Sequence, residues 1–242
     1  MRTALVTGAS GGIGQAIARE LAQRGWQVAL HYFQNQEAAQ ALEADIRRAG
    51  GAAKAYRADL REESQVEALF SQVEKDWGFV EGLVNNAGVA WKGLFTDMTL
   101  EEWHGVLDGD LTSVFLCCRR ALPPMIRRKR GSIVNVSSMW GQVGASCEAA
   151  YSAAKAGVIG LTKALAQEEG PSGIRVNCVA PGVIDTPMNG DLSPADLDAL
   201  REETPLERIG TPQETAQAIA FLLEHPFVTG QVLGVNGGMV IN

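Results

Sequence analysis

Short runs of aliphatic and β-branched residues alternate with longer segments of helical period along the whole chain. Ala4 to Thr7, Gln27 to Tyr32, Ala53 to Tyr56, Gly82 to Asn85, Ser132 to Ser137, Arg175 to Ala180 and Val232 to Asn236 read as strands. Gly14 to Gly25, Gln36 to Ala49, Glu63 to Trp77, Leu100 to Arg130 and Tyr151 to Glu169 read as the helices between them. Crossovers of helical length join parallel strands, so the pattern predicts an α/β protein: a doubly wound parallel sheet with helices on both faces. Leu83-Val84 and Ile133-Val134-Asn135-Val136 are apolar enough to be central strands, covered on both sides. No internal repeat, low-complexity tract or Pro/Ser-rich linker interrupts the alternation, which predicts a single domain over residues 1–242. The stretch 185–210 departs from it, with Pro187, Pro194 and Pro205 around a short acidic helical pattern, and is expected to form a substrate lid.

Composition narrows the function classes. Hydrophobic residues make up 46% of the chain and charged residues 20%, enough for a sizeable core and far from disordered or fibrous compositions. Twenty-eight acids against 21 bases give a net charge of −7, the wrong sign for a protein that holds nucleic acid or an anionic membrane by bulk electrostatics. Met1-Arg2-Thr3 leads directly into the first strand without an apolar signal region, and no spanning run occurs, so a cytoplasmic protein is expected. Cys117, Cys118, Cys147 and Cys178 form no C-x-x-C pair and have no ligand spacing to histidines. Reduced thiols and no metal site are the expectation.

The first strand ends in Thr7-Gly8-Ala9-Ser10-Gly11-Gly12-Ile13-Gly14 and opens a helix. Glycines there let the backbone turn sharply and approach a pyrophosphate, whose charge meets the free N–H groups of the helix start. A tight βα turn needs glycine whether or not it binds anything, but this turn follows strand one, where a dinucleotide would sit. Further along, Asn85-Asn86-Ala87-Gly88 follows the fourth strand, Ser138 closes the fifth, and Tyr151-Ser152-Ala153-Ala154-Lys155 supplies Y-x-x-x-K. Pro181-Gly182-Val183-Ile184-Asp185-Thr186 follows the sixth strand, and Val235-Asn236-Gly237-Gly238 lies near the end.

With these motifs in this order along nearly its whole length, the sequence resembles the short-chain dehydrogenase/reductase family. The resemblance implies a Rossmann-type fold and hydride exchange between a nicotinamide cofactor and a carbonyl. Tyr151 and Lys155 lie four apart on a helical pattern and so project into one site. A nearby ammonium lowers the pKa of a phenol, and the resemblance makes Tyr151 the general acid, Lys155 its partner and ribose ligand, and Ser138 the donor that polarises the substrate oxygen. It implies cofactor contacts at Gly8, Ser10, Gly12, Ile13, Gly14, Asp59, Leu60, Asn86, Ala87, Gly88, Tyr151, Lys155, Pro181, Gly182, Ile184 and Thr186. Where the family usually carries an asparagine, this chain has Asp110, a carboxylate expected to raise the Lys155 pKa and alter the proton relay without abolishing catalysis.

No acid stands about twenty residues beyond the Gly-rich turn to repel a 2′-phosphate, since Glu37 lies past the expected position. The basic residues that NADP enzymes of the family often use, at Gly11 or just after the second strand, are absent as well. Ser10, Gln34 and Asn35 could serve as neutral donors, which favours NADPH over NADH. His31 and Tyr32 read as strand-end packing residues.

Arg127-Arg128-Lys129-Arg130-Gly131 reads as a charged last helical turn with Gly131 as a left-handed cap, or as a docking site for an acidic carrier protein. Met139, Trp140, Val143 and Cys147 are expected to line an apolar pocket, with Trp91 and Met188 as further candidates. In length and motifs the chain is most similar to 3-oxoacyl-acyl-carrier-protein reductases. Trp140-Gly141 and Gly144-Ala145-Ser146-Cys147-Glu148 also resemble reductases of the aminopentanone modification on elongation factor P. A cofactor-binding regulator without turnover is the reading from another class, suggested by Asp110. Excess apolar residues on Leu100 to Arg130 and Tyr151 to Glu169, with the C-terminal strand, predict a homotetramer.

Overall fold

The computed structural model describes residues 1–187, 190 and 193–241. Among these residues, seven strands, β1 (Thr3–Val6), β2 (Gln27–Tyr32), β3 (Ala52–Arg57), β4 (Val80–Asn85), β5 (Gly131–Val136), β6 (Ile174–Pro181) and β7 (Val232–Val235), form one sheet in the order β3-β2-β1-β4-β5-β6-β7. Every neighbouring pair is parallel. Three helices, α1 (Gly12–Gln23), α2 (Gln36–Arg48) and α9 (Pro212–Glu224), pack on one face. On the other lie α3 (Glu63–Trp77), α5 (Ser113–Arg128) and α7 (Ala149–Glu169). The period of two within each strand divides its side chains between the two cores: Leu5 packs with α3 and α5, whereas Ala4 and Val6 pack with α1 and α9. Shorter helices α4 (Leu100–Leu107), α6 (Trp140–Val143) and α8 (Pro194–Glu203) lie among the connections that follow strands β4, β5 and β6.

Strand order reverses between β1 and β4, and the chain leaves these two strands in opposite directions. The carboxyl ends on either side of such a switch point leave a crevice open. The Gly-rich turn follows β1 and the Asn85-Asn86-Ala87-Gly88 motif follows β4, so both fall at these carboxyl ends.

Two sequence expectations need correction. Leu100 to Arg130 is not one uniform helix, because a π-helical turn at Asp108–Thr112 separates α4 from α5. The extra residue in that turn lets the Asp110 carboxylate point inward, where it accepts the Val89 N–H at 3.1 Å. The left-handed residue after α5 is Lys129, with φ 50°, rather than Gly131. Gly131 already belongs to β5 and is needed for space, since a Cβ there would run into the Met125 side chain.

Residues Ile184 and Gly210 bridge at the base of the 185–210 excursion, reinforced by Asp185 N–H to Gly210 O at 2.9 Å. Within it, α8 starts at a reciprocal cap in which Ser193 accepts the Asp196 N–H and the Asp196 carboxylate accepts the Ser193 N–H. Met188 lies outside the described residues. Among the described residues no helix is long and apolar enough to cross a membrane, and no His/Cys/Asp/Glu cluster could hold a metal ion.

Candidate active site

The Gly-rich turn leaves room for a ligand backbone. Gly8 has φ +63°, and a Cβ on it would come within 2.8 Å of Ala87 Cα; a Cβ on Gly14 would overlap the Gly8 carbonyl, and one on Gly12 would meet the Thr186 methyl at 2.9 Å. Helix α1 begins without a side-chain cap at Gly11 and without an acid in its first turn. Its first N–H groups meet no acidic side chain from their own turn, and such a helix start suits a pyrophosphate. Ile13 anchors this start by packing into the core of that face.

Sequence reasoning passed over the two residues that hold the turn in shape. His31, at the end of β2, accepts the Gly8 N–H on Nδ1 at 3.1 Å and donates from Nε2 to the Ala58 carbonyl at 3.0 Å. These partners require the neutral ring, and burial pushes its pKa down to about 4. Thr7 Oγ1 accepts both the Asn86 and Ala87 N–H groups, at 2.9 and 3.0 Å, while the Asn86 amide donates to the Thr7 and Gly8 carbonyls. Asn86 thus ties β4 to the turn. A buried histidine and a threonine inside a glycine motif carry no sequence signal that separates such struts from packing.

At the far end of the crevice, Leu60 is buried and Asp59 is clamped by Arg61, with Nη2 to Oδ2 at 2.6 Å, which lowers the carboxyl pKa. Asn35 caps α2 by accepting the Ala38 N–H at 3.0 Å, and Gln34 is exposed beside it. The Ser10 carbonyl accepts from the Gln15 side chain.

The catalytic candidates meet where β5 gives way to α6 and α7. Ser138 Oγ accepts the Trp140 N–H at 3.2 Å, and its hydroxyl is near enough to Tyr151 to pull the phenol pKa down. Lys155 is buried; its ammonium donates to the Val136 carbonyl at 3.2 Å, stands 3.2 Å from Asp110 Oδ1 and lies 5.4 Å from the centre of the Tyr151 ring. Ser137 holds the backbone of the same helical turn by donating to the Lys155 carbonyl. Gly88 has no space for a side chain, because a Cβ would run into Asp110 Oδ1. Ser138, Tyr151, Lys155 and Asp110 are brought together, with Gly88 as a wall.

Electrostatics here differ from the simple expectation that Lys155 lowers the Tyr151 pKa. Burial raises the phenol, Lys155 opposes it, and Asp110 and Glu148 add to the rise, so Tyr151 stays above its ordinary value in the protein alone. Burial would lower the Lys155 ammonium, but Asp110 and Tyr151 outweigh it and leave it raised. Asp110 itself is raised by burial against the pull of Lys155, and its Oδ2 has no hydrogen-bond partner among the described residues.

Of the expected pocket residues, Trp140 is half-buried and Val143 and Cys147 are exposed, whereas Met139 is fully buried beneath them. Trp91 packs with Val106, Ala150 and Tyr151 and donates from its indole to Glu102. The Gly93 N–H to Cys147 carbonyl bond ties the loop after β4 to the loop before α7. Pro181 accepts the Met139 N–H, and Gly182 packs against Asn236 and donates to Val235, so the segment after β6 is braced by β7. Ile184 is buried, and Thr186 stands opposite Gly12.

Residues 8–240 match the family described as enoyl-(acyl carrier protein) reductase. The chain belongs to the short-chain dehydrogenase/reductase family. Members of this family are NAD(P)-dependent oxidoreductases. The chain is 43% identical to the oxidoreductase YmfI of Bacillus subtilis over 240 residues, covering 98% of each protein. It is 41% identical to the 3-oxoacyl-[acyl-carrier-protein] reductase FabG of Staphylococcus aureus, again over 98% of each. The corresponding Synechocystis reductase is 42% identical over 99% of this chain and 97% of its own. A solved dehydrogenase from Agrobacterium tumefaciens, named for gluconate, superposes with a TM-score of 0.95 at 34% identity, over 99% of this chain and 97% of that one.

Proposed function

We propose that this enzyme reduces the keto group of a 3-oxoacyl thioester with NADPH, as a cytoplasmic step of fatty acid biosynthesis, on a substrate tethered to acyl carrier protein. The observation that carries the reading is the convergence of Ser138, Tyr151 and Lys155 at the strand ends, in a chain whose near-full-length relatives include enzymes named for that reaction. NADPH supplies the hydride when bound. Gly8, Ser10, Gly12, Ile13 and Gly14 would hold its pyrophosphate; Gln34, Asn35, Asp59, Leu60, Asn86, Ala87 and Gly88 its adenosine side; Pro181, Gly182, Ile184 and Thr186 its nicotinamide side. The uncapped start of α1 and the glycine positions a Cβ would block fit that group.

Ser138 donates a hydrogen bond to the substrate carbonyl oxygen, and Tyr151 gives that oxygen its phenolic proton as the carbonyl becomes a hydroxyl. A Tyr151 pKa held above its ordinary value keeps the proton on the phenol at neutral pH. That state is the one reduction needs. Lys155 would hold the cofactor's ribose, and its ammonium offsets the phenolate left after transfer. Asp110 acts through Lys155 as a positioning residue. The pair leaves the Lys155 ammonium in the site rather than displacing it, which favours an enzyme over a regulator without turnover.

Segment 185–210 would cover the substrate within one catalytic domain, and the exposed Leu94, Phe95, Val143 and Leu206 supply apolar surface for an acyl chain. In the basic run at the end of α5, Arg130 pairs with Glu81 and Arg128 lies over Phe79, while Arg127 has no carboxylate within ion-pair distance among the described residues. We propose that an acidic carrier docks there. A homotetramer is also proposed, supported by the exposed Phe115 on α5 and by edge strand β7 with its exposed Leu233.

A second reading is supported by Glu148. This half-buried carboxylate bears electrostatically on Tyr151 and would suit a keto group near an amine, as in the aminopentanone modification on elongation factor P. Steady-state kinetics on a 3-oxoacyl carrier thioester and on modified elongation factor P, each with NADPH and NADH, separates the two. The proposal expects the thioester with NADPH to give the higher kcat/KM, and a clear preference for the modified protein would replace it.

A further inference from the structure

A sequence scan for a phosphate-binding cation looks just after β2 and finds none. The sheet supplies one from its neighbour. Strands β2 and β3 pair in parallel register with Tyr32 opposite Arg57, and the Ala58 N–H donates to the Tyr32 carbonyl at 3.1 Å. Ala53 and Ala55 pack with α1 and α2, whereas Tyr56 packs with α3, so Arg57 leaves the sheet on the side where α1 and α2 begin. Its Nε donates to the Phe33 carbonyl at 3.2 Å, which holds the guanidinium on the β2-to-α2 connection beside Gln34 and Asn35. The Ala9 N–H to His31 carbonyl bond, at 2.9 Å, keeps the Gly-rich turn next to that connection.

The charge on Arg57 is unanswered. Arg61 is clamped on Asp59, but Arg57 is exposed and no carboxylate lies within 4.0 Å of it among the described residues. Glu37, in the first turn of α2, is exposed and makes no ion pair with it. We infer that Arg57 is the cofactor-specificity residue, binding the phosphomonoester on the adenosine ribose of NADPH through the terminal amino groups that Nε leaves free. A planar guanidinium matches a phosphate by paired, charge-assisted hydrogen bonds. Asn35 spends its side-chain oxygen on capping α2, so it and Gln34 can only add neutral donors. An NADH ribose, ending in a hydroxyl, offers Arg57 no anion and gains little from it.

This inference rests on the NADPH reading, and the test distinguishes the two. Calorimetric titration with NADPH, NADH, adenosine 2′,5′-bisphosphate and 5′-AMP would be run on the wild type, Arg57→Gln and Arg57→Lys. Arg57→Gln is expected to weaken NADPH and the bisphosphate by about tenfold, the scale of one charge-assisted hydrogen bond, while NADH and 5′-AMP change by less than about twofold. Arg57→Lys, which keeps the charge and loses the fork, should fall between. A purely structural role through the Phe33 carbonyl would weaken all four ligands together and overturn the assignment. So would a wild-type preference for NADPH that survives Arg57→Gln, with the NADPH reading left standing. A wild type that binds NADPH no better than NADH would remove both.

Discussion

The Asp110 carboxylate stands 3.2 Å from the Lys155 ammonium inside the protein, and no solvent reaches Asp110. Two opposite charges in a poorly solvated site each favour the other's ionised form. Lys155 is therefore kept protonated, but part of its field at Tyr151 is cancelled. The arrangement is suited to an acid that must keep its proton until a substrate arrives.

Asp110→Asn should retain kcat within about tenfold, because the amide oxygen can still accept from Val89 and Lys155. Removing the negative charge lowers the pKa of both Tyr151 and Lys155. The acidic limb of alcohol oxidation, which needs the phenolate, and the alkaline limb of ketone reduction, which needs the phenol, should both move to lower pH. Profiles measured in the two directions check the sign. Asp110→Ala, which strands a buried ammonium, should cost about 3–5 kcal/mol of stability in denaturant titration.

Tyr151→Phe should lose at least ~10²-fold in kcat, the scale of a positioned general acid, while NADPH binding is retained. Ser138→Ala should also reduce kcat, since the substrate oxygen loses a donor. Cofactor titration beside turnover checks both; a Phe variant with near wild-type turnover would remove Tyr151 from the mechanism.

His31 links stability to pH. Its pKa is about 4 in the folded protein against an ordinary 6.5, so between these values the unfolded chain binds the extra proton and folding weakens as pH falls. The contribution is fully present above 6.5 and is lost progressively down to about 4. A shift of that size corresponds to about 3 kcal/mol. Thermal unfolding should show this slope in the wild type and a shallower one in His31→Asn.

The sheet and its crossovers were legible in the sequence because each strand and helix has a distinct period, and the candidate cluster of Ser138, Tyr151 and Lys155 was legible because the family resemblance rests on their spacing. What escaped came from across the sheet. Arg57 reaches the end of β2 only through parallel register, and His31 supports Gly8 through a backbone N–H that no spacing reports. The π-turn at Asp108–Thr112 was hidden by a continuous apolar pattern. That same pattern overstated the surface available for assembly: Val106, Val114, Leu116, Ala121 and Leu122 are buried within the protomer, because the α4 and α5 segments pack in two separate clusters.

Among the described residues, the large apolar side chains left exposed on α5 and β7 are Phe115, Ile126 and Leu233. Light scattering at micromolar concentration should give four times the 25.8 kDa chain mass. Phe115→Glu should lower that mass and impair turnover, since the proposed assembly would pack against α7, which carries Tyr151 and Lys155. A wild-type monomer with full activity would contradict the assembly proposal.

The most direct measurement of the central claim is a single-turnover reaction of the NADPH-loaded enzyme with a 3-oxoacyl carrier thioester, followed by cofactor oxidation and product analysis. The account predicts one 3-hydroxyacyl thioester formed per NADPH oxidised in the wild type and a rate at least ~10²-fold lower in Tyr151→Phe. Cofactor binding without any oxidation in the wild type, or equal rates in the two proteins, would contradict it.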